Sequence, residues 1–403
     1  MKSSTNIFYR KNYDPYFLLA AHTCCDINQG ALPAILAFLY YHGILTTFES
    51  IAWFVFASNL VSSVVQPLTG YLSDRRPRPW LMTLGIVSAA VSTAFIGFTD
   101  NHTIMMLCCL INGIGIAIFH PAGGKTTHAV VSGSHLGRGL SLFYVGGNLG
   151  FAAGPVLVTL SMTFFGPKGT LIMIVPAILI TLILAYMNAK FVHALRKEKR
   201  KITRARESGQ SRRERPGAFS VLTVAIFFRA TIFFALNTFI PLYWVKILGQ
   251  TVETGNTVLS IIALMGAIAT LCGGFMADRI GLNKMFSYAL TAMTPLLIAF
   301  CSVQNMYVNL ALIIPTAFFL YSTSAPMMAI GQRFLCNHTG LASGITVGLA
   351  VSFGGITAPV LGWIGDTYGL NSTFWAVAAC SAGAMIVSYL IPNADLKEDE
   401  RQK

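Results

Sequence analysis

The sequence predicts an all-α integral membrane protein, with twelve transmembrane helices arranged as two pseudo-symmetric six-helix bundles. Hydrophobic residues make up 54% of its 403 positions and charged residues only 11%, whereas a soluble chain carries about a quarter charged residues. Apolar runs of roughly 20 residues recur along the chain, and each is long enough to cross a bilayer. The third observation is an internal repeat, which accounts for the two bundles.

Two pairs of motifs that share one spacing mark this repeat. The turn Gly70–Arg78 has a weaker copy at Gly274–Lys284, and the aspartates of the two turns are 204 residues apart. The string Pro155-Val-Leu returns as Pro359-Val-Leu at the same offset. Two landmarks with one offset, about half the chain, indicate a duplicated unit.

The apolar segments divide evenly between the two halves. We place an N-terminal bundle at 1–189, a basic cytoplasmic linker at 190–217 and a C-terminal bundle with a short charged tail at 218–403. The linker carries eleven Lys or Arg residues against three glutamates, which predicts a solvated stretch lying against an anionic leaflet. The predicted spans are 16–41, 48–72, 79–99, 103–128, 137–165, 168–189, 218–247, 255–277, 283–302, 307–331, 340–368 and 371–391.

The distribution of cationic residues predicts the orientation. With both termini in the cytoplasm, every Lys and Arg falls on the inner side except Lys168 and Lys246, which face outside, and Arg229, which lies within a span. This asymmetry follows the positive-inside rule. The net charge of +13 therefore reflects membrane topology, and we expect no nucleic-acid partner.

Several kinds of chemistry find no support in the sequence. The eight cysteines lie in or near apolar runs, without the spacing of metal ligands or of a disulfide framework. No Gly-x-x-x-x-Gly-Lys-Ser/Thr loop is present, so ATP is not the evident energy source. No nucleophile, base and orienting residue can be placed together. We therefore expect neither an enzyme nor a bound metal or cofactor.

Ionisable residues within the spans are the first functional candidates, because a charge at the bilayer centre costs about 2.5–3.5 kcal/mol or more. Asp26 lies midway along the first span with His22 four residues before it, so both side chains share one helix face. Asn28 and Gln29 add polar atoms nearby. We predict that Asp26 carries a proton, since burial favours its neutral form, and that His22 relays or tunes it. A polar cluster that only joins helices is the alternative.

A second histidine lies in the fourth span, within Phe119-His120-Pro121 and shortly before Lys125. Proline removes a helical hydrogen bond, so we expect the span to be interrupted here. An interrupted helix at membrane depth lines a cavity in which its freed carbonyls find partners. His120 is therefore predicted to face the central pathway with Asp26, or else to be a buried histidine held by one carbonyl. Lys125 lies where it can reach the cytoplasmic surface.

Arg229 lies inside the seventh span, the positional counterpart of the first. Arginine does not lose its proton, so it needs an anionic partner or a wet cavity. One option is a salt bridge to Asp26 across the two halves, and another is a counter-ion for an anionic substrate. A structural pairing, or a side chain that extends to the cytoplasmic end, remains a further alternative.

The fifth span is rich in small residues between Val145 and Pro155. Small residues let helices approach closely, and proline bends a helix. The predicted helix-packing positions are Gly146, Gly147, Gly150, Gly154 and Pro155.

Asp74 and Asp278 lie at the predicted cytoplasmic ends of the second and eighth helices, next to Arg75 and Arg279. A carboxylate near a helix N-terminus gains about 0.3–1 kcal/mol from the helix dipole. If a neighbouring helix presents its N-terminus in only one conformation, the contact biases the conformational equilibrium. We therefore predict that the two turns act as conformational latches.

The two six-helix halves, the basic central loop and the first turn resemble the major facilitator superfamily. The turn between the second and third helices of that family reads Gly-x-Leu-Ala-Asp-Arg-x-Gly-Arg-Lys. Pro77 and Pro79 replace its Gly and Lys here, so the turn should be stiffer. The residues that match are Gly70, Leu72, Asp74, Arg75 and Arg78.

A closer resemblance, over almost the whole chain, is to the bacterial fosmidomycin-resistance branch of drug exporters. It is carried by Asp26-Ile-Asn-Gln29, Gln66-Pro-Leu-Thr-Gly70, Phe119-His-Pro121 and Val145-Gly-Gly-Asn-Leu-Gly150, and by His22 and Gln332. The glycine-rich fifth span also resembles a segment associated with exporters. The resemblance implies a bacterial inner-membrane transporter. With the residues discussed above, it predicts substrate-binding positions at Arg229, Asn28, Gln29, Asn148 and Gln332.

We therefore predict a proton-coupled antiporter that exports small anionic or amphipathic compounds, such as fosmidomycin-like drugs or a related metabolite. The proton gradient would supply the energy, since one charge moved through 100 mV yields about 2.3 kcal/mol. The expected partners are a small-molecule substrate, protons and membrane lipid, and a monomer is expected. Alternatives are a symporter importing an organic anion, a lipid flippase and a non-transport membrane receptor whose basic loop binds a partner.

Overall fold

In a computed structural model of the protein, the chain is described over residues 14–45, 48–131, 135–208 and 213–394. Within these ranges the regular structure is helical throughout, which confirms the predicted fold class. The helices of the first half are α1 (Asp14–Tyr41), α2 (Phe48–Arg75), α3 (Trp80–Ile96), α4 (His102–Val131), α5 (Leu136–Phe165) and α6 (Ile174–Glu207), with a 3₁₀ helix at Gly166–Met173 before α6.

The second half repeats this order with two of its spans subdivided. A bend at Thr323 separates α10 from α11, and a π-helical turn at Ile345–Leu349 joins α12 to α13. The helices are α7 (Pro216–Lys246), α8 (Val252–Ile280), α9 (Leu282–Ser302), α10 (Met306–Ser322), α11 (Ser324–Phe334), α12 (Thr339–Gly344), α13 (Ala350–Tyr368) and α14 (Leu370–Leu390). The twelve predicted spans therefore correspond to twelve helical segments of the described chain.

By length and composition alone, seven stretches of the described residues are apolar enough to cross a membrane. One of them contains both α5 and α6. α1 is not among them, because it contains the polar residues His22, Asp26, Asn28 and Gln29. The stretches are His102–Val131, Leu136–Ala205, Pro216–Lys246, Thr257–Ile280, Leu282–Ser302, Met306–Phe334 and Leu370–Leu390.

The basic linker expected at 190–217 is largely not a loop. α6 continues as one helix of 34 residues as far as Glu207. Apart from Ile202 and Thr203, residues 196–207 are Lys, Arg, Glu and Ala, which are strong helix formers, and the stretch contains no Gly or Pro that would end the helix at the membrane surface. The domain boundaries around the linker remain a prediction.

The interruption expected at Pro121 is also absent, because α4 is continuous from His102 to Val131. A proline leaves the carbonyl four residues earlier without its helical donor, which is here the carbonyl of Ala117. The hydroxyl of Thr69, on α2, donates to that oxygen at 2.6 Å. A neighbouring helix thus satisfies the freed carbonyl, and α4 has no need to open.

The two halves meet mainly where α2 packs on α12 and where α5 packs on α8. Each half also has its own apolar core, formed in the second half around α7, α9 and α14. We call the end of the molecule that carries Asp74 and Asp278 the latch end. The charge distribution predicts that this end faces the cytoplasm.

Candidate functional site

A buried cluster of three ionisable side chains lies between α1 and α4. Nε2 of His22 is 3.2 Å from Oδ2 of Asp26, and Nε2 of His120 is 3.2 Å from Oδ1 of the same carboxylate. Asp26 is only 8% exposed. The structure therefore brings together the three residues predicted to handle protons, and each histidine approaches a different carboxylate oxygen.

The other nitrogen of each imidazole is occupied by a backbone carbonyl. Nδ1 of His22 lies 2.6 Å from the carbonyl oxygen of Phe143, and Nδ1 of His120 lies 3.0 Å from that of Ile116. A carbonyl oxygen only accepts hydrogen bonds, so both Nδ1 atoms must carry hydrogen. In a neutral imidazole the Nε2 atom then holds a lone pair. Each Nε2 therefore points its lone pair at Asp26.

Helix α5 fixes the position of His22. The imidazole stacks on the ring of Phe143, with centroids 4.0 Å apart, and meets the edge of the His120 ring at 5.0 Å. Gly147 closes the cluster one turn further along α5. A Cβ atom at Gly147 would lie 2.7 Å from Nε2 of His22 and 2.8 Å from Oδ2 of Asp26. Only glycine leaves room for the cluster at this position.

The remaining small residues of α5 let its backbone approach α1. A Cβ at Gly146, Gly150 or Gly154 would overlap the carbonyl oxygens of Leu19, Thr23 and Ile27, respectively. The predicted packing glycines thus lie against α1, and Pro155 is accommodated within α5. This close contact places the carbonyl of Phe143 within reach of His22.

The predicted polar substrate residues on α1 and α5 lie next to the cluster in sequence. Asn28 is fully buried, donates to the carbonyl of Cys24 at 2.9 Å, and has a side-chain oxygen without a partner among the described residues. Gln29 and Asn148 are partly buried. The structure leaves their roles as predictions.

Arg229, on α7, is 7% exposed and is held by polar groups of its own half. Its Nε donates to the hydroxyl of Thr323 at 2.9 Å, and its Nη2 donates to the hydroxyl of Ser324 at 2.7 Å. Within the described chain no carboxylate lies within ion-pair distance of the guanidinium. The salt bridge to Asp26 that was one option for Arg229 is therefore not formed in this conformation.

Tyr144 is next to the histidine cluster in the sequence. It follows Phe143 on α5, whose carbonyl lies against His22. The Tyr144 hydroxyl is buried, with no hydrogen-bond partner in the described part of the chain. A free hydroxyl and an arginine without a counter-ion are donors suited to an anion. Sequence reasoning missed Tyr144, since a tyrosine in an apolar span gives no signal of its own.

At the latch end, Asp74 joins the two halves. Its two carboxylate oxygens accept from the N–H groups of Gly340 and Leu341, at 2.9 and 3.0 Å, in the first turn of α12. Nζ of Lys125 lies 2.9 Å from Oδ1 of Asp74. The carboxylate of one half thus binds the positive N-terminus of a helix in the other half.

Asp278 makes the matching contact in the opposite direction. Its oxygens accept from the N–H groups of Gly137 and Arg138, at 3.0 and 3.2 Å, in the first turn of α5. The Nε of Arg138 lies 3.3 Å from Oδ2 of Asp278. The two latches are therefore related by the internal repeat to within one residue. Neither Lys125 nor Arg138 was predicted as a partner, since both belong to helices remote in sequence from the turns.

The glycine of each turn allows this contact. A Cβ at Gly70 would overlap the carbonyl oxygen of Gly340, and one at Gly274 would lie 2.5 Å from that of Gly137. The arginines of the turns point away from the latch contacts. Arg75 packs over the ring of Tyr71, and Arg78 and Arg279 are exposed.

Gln332 is completely buried. It lies at the latch end, away from Arg229, which is another of the predicted substrate-binding residues. Its amide nitrogen donates to Ser343 at 2.9 Å and to the carbonyl of Gly124 at 3.2 Å, and its oxygen lies 2.9 Å from Nδ1 of His128. Gln332 and His128 are 204 residues apart, so they are repeat equivalents that touch each other. This contact places them on the pseudo-two-fold axis between the halves.

The cluster of His22, Asp26 and His120 also has the donor atoms that a transition metal ion accepts, and these atoms all lie within 4.8 Å of one another. The 3.2 Å separations between nitrogen and oxygen also have hydrogen-bond length, so a proton can bridge each histidine to Asp26.

The fold and the site define a class: a polytopic helical transporter of two repeated bundles, with ionisable residues at its centre and latches at one end. The chain belongs to the Major Facilitator Superfamily, whose sequence profile matches residues 18–359. It is a multi-pass membrane protein and a transporter of that family.

Two bacterial relatives align with most of the chain. YfnC of Bacillus subtilis, an uncharacterized MFS-type transporter, is 28% identical over 92% of this chain and 91% of its own length. The fosmidomycin resistance protein of Escherichia coli is 26% identical over 93% and 91%. The fold of the fucose:proton symporter FucP of E. coli matches with a TM-score of 0.72 at 14% identity, over 94% of this chain and 98% of that one.

Proposed function

We propose that this protein is a proton-coupled antiporter that exports small anionic or amphipathic compounds, with fosmidomycin-like phosphonates as the first candidates. One observation carries the proton coupling. Both imidazoles present a lone pair to a carboxylate when the site is fully deprotonated, because their Nδ1 atoms are committed to carbonyls. The cluster is therefore electrostatically unfavourable until it takes up protons.

The geometry also suggests how many protons are used. One proton, on Asp26 or on either imidazole, turns a single repulsive contact into a hydrogen bond. A second proton on the other imidazole satisfies the second 3.2 Å contact. The cluster can thus hold one or two protons, and each makes a charge-assisted hydrogen bond of the stronger kind.

An anionic substrate follows from Arg229. A buried guanidinium without a carboxylate within ion-pair distance in the described chain is costly, and an anion entering the cavity would neutralise it. Tyr144, in the first half, supports this role, because its buried hydroxyl has no hydrogen-bond partner in the described part of the chain. Substrate and proton sites are then neighbours: Tyr144 follows Phe143, whose carbonyl holds His22.

The two latches distinguish the two states of the transport cycle, one closed and one open towards the cytoplasm. If the latch end faces the cytoplasm, the structure, in which both latches are formed, is the closed state. Protonation of the cluster from outside favours substrate release there, and deprotonation towards the cytoplasm resets the cavity. The two bundles rock about the central site, as in other transporters built from repeats.

Export is favoured by the fosmidomycin resistance protein among the relatives and by the exporter-like fifth span. A symporter importing an organic anion is the second candidate, because Arg229 would serve an incoming anion equally well. A flippase would act on lipid without a soluble substrate, and a receptor would function without Asp26.

The test is transport by purified protein in sealed proteoliposomes that contain a pH-sensitive dye. Fosmidomycin is added, and proton movement is compared between wild type, Asp26→Asn and Asp100→Asn. Asp100 is an exposed aspartate outside the cluster, so the control removes the same charge without touching the site. We expect proton flux opposite to substrate flux in wild type and Asp100→Asn, and none in Asp26→Asn.

Flux of both species in the same direction would replace the antiporter with the symporter. Substrate transport without proton movement, unchanged by Asp26→Asn, would refute proton coupling at this site.

A further inference from the structure

A basic groove lies at the latch end of the first half, and neither transport nor the latches use it. It has a volume of about 820 Å³ and is formed between the turn that follows α2 and the part of α6 beyond the apolar segment. We call it the α6 groove. Its lining residues are Arg76, Pro77, Arg78, Arg196, Lys199, Arg200, Thr203, Arg204 and Glu207.

The charge of the α6 groove is not neutralised by the protein. Six of its lining residues are cations and one, Glu207, is acidic. In the described part of the chain none of these cations forms an ion pair. Six like charges around one cavity repel one another, so an anion that bound there would stabilise the groove.

The arrangement of the cations indicates the size of that anion. Arg196, Arg200 and Arg204 are spaced by four residues and form a row on one face of α6. At 1.5 Å per residue the row is about 12 Å long, which exceeds the span of one phosphate. On the opposite wall, Arg76 and Arg78 alternate with prolines that hold the turn rigid. The groove therefore suits an anion with two separated phosphate groups.

The position of the α6 groove favours a lipid as the source of these phosphates. Trp80, half-exposed, directly follows the turn, and Tyr71, also exposed, precedes it by one helical turn. Exposed Trp and Tyr at helix ends mark the level of the lipid headgroups. The groove thus opens where the headgroups of the surrounding leaflet lie.

We propose that the α6 groove binds an anionic phospholipid headgroup that carries two phosphates, of the kind found in cardiolipin. The site does not depend on the transport function proposed above. Basic pockets next to transmembrane helices are suited to such headgroups.

Binding at this groove would also act on the latch. Nζ of Lys199 donates to the carbonyl of Arg75 at 2.9 Å, and so ties α6 to the residue after Asp74. A headgroup that bridges Arg200 and Arg78 would hold the same two elements together. A bound lipid is therefore expected to keep the turn in the position in which Asp74 contacts α12.

Native mass spectrometry of the purified full chain tests the site, with cardiolipin, phosphatidylethanolamine and inorganic pyrophosphate as the probes. Arg200→Gln and Arg78→Gln each remove one charge, from different walls of the groove. Lys197→Gln is the matched control, since Lys197 is an exposed cation on the same helix and does not line the groove. We expect each groove variant to bind cardiolipin about fivefold more weakly, the factor that corresponds to about 1 kcal/mol per cation. The control should bind like wild type.

Two outcomes would overturn the proposal. Equal losses in Lys197→Gln and in both groove variants would show general attraction to a basic surface. Pyrophosphate binding as tight as that of cardiolipin, and equally sensitive to Arg200→Gln, would assign the groove to a soluble anion. Because the readout is binding in detergent, either result leaves the transport proposal untouched.

Discussion

At the scale of single residues, the proposed proton site rests on which nitrogen of each histidine faces Asp26. The carbonyls of Phe143 and Ile116 hold the Nδ1 atoms of His22 and His120, and both Nε2 atoms are left facing Asp26. A neutral histidine without such a bond could carry its hydrogen on Nε2 and donate it to the carboxylate. The two backbone carbonyls therefore support the proposed proton coupling at the cluster.

The close approach of Gly147 to the cluster gives a first prediction. Gly147→Ala would place a methyl group less than 3 Å from both His22 and Asp26, a strain of about 1–3 kcal/mol in a packed interior. We expect proton-coupled transport to fall by at least about tenfold, since 1.4 kcal/mol corresponds to a factor of ten. Gly217→Ala is the control, because a Cβ at Gly217 meets nothing within 4 Å. Equal transport by both variants would show that the cluster tolerates displacement.

Arg229 gives a second prediction at this scale. Arg229→Gln removes the positive charge and Arg229→Lys keeps it without the planar fork. Hydrogen bonds to charged groups contribute about 1.5–3 kcal/mol, so we expect fosmidomycin binding to weaken more than tenfold in Arg229→Gln and less in Arg229→Lys. Isothermal titration of the purified variants measures this, with Arg279→Gln as an exposed control. Unchanged affinity in Arg229→Gln would remove the anion role.

At the scale of helices, α4 remains continuous because another helix supplies the missing donor. Thr69 donates to the carbonyl that Pro121 leaves free, so α2 and α4 are joined at the level of His120. This bond keeps His120 on the face that meets Asp26.

The same bond predicts the effect of losing the hydroxyl. Thr69→Val would leave a carbonyl in the protein interior without a donor, at a cost of about 1–3 kcal/mol. We expect a lower melting temperature for Thr69→Val and a nearly unchanged one for Thr69→Ser. Thr163→Val serves as control, because that exposed hydroxyl bonds only to its own helix. A stable Thr69→Val would mean that another group satisfies Ala117.

At the scale of the whole molecule, the internal repeat is visible as two equivalent latches across one interface. Asp74 binds the start of α12 and Asp278 binds the start of α5, each from the opposite half. Both contacts lie at the latch end, so together they join the two halves there. The contact between His128 and Gln332 lies on the axis between them.

The latches predict a measurable change of state. Asp74→Asn removes the charge that binds the α12 N-terminus, and we expect the closed latch end to lose population by a factor of about ten, or about 1.4 kcal/mol. Asp278→Asn should have a similar effect. Electron–electron double resonance between spin labels at exposed positions 80 and 284, one in each half, reports the opening. Asp366→Asn, at an exposed aspartate, is the control and should leave the distance unchanged. An unchanged distance in both latch variants would show that the latch contacts do not stabilise the closed state.

How much the sequence could predict differs between these scales. The fold class and the pairing of His22 with Asp26 follow from hydropathy, repeat spacing and helical periodicity, which are local signals. The support of α4 by Thr69 was not predicted, because Thr69 and Ala117 belong to different helices and are 48 positions apart in the sequence. Long-range packing decided that case.

The same limit applies to the partners of single residues. Gln332 was expected to bind substrate, yet its hydrogen bonds lie at the latch end, where the repeat brings it onto His128. Thr323 and Ser324 hold Arg229 because the break between α10 and α11 falls beside α7. Neither residue has a sequence pattern that distinguishes it from the other hydroxyl residues of the spans.

Proton exchange on substrate binding tests the central claim most directly. Fosmidomycin is added to purified protein in weakly buffered detergent solution, and the pH change is recorded for wild type, Asp26→Asn and Asp100→Asn. We predict that wild type and Asp100→Asn release protons when they bind the substrate, and that Asp26→Asn binds it without release. Proton release of equal size in Asp26→Asn would contradict coupling at the cluster of His22, Asp26 and His120.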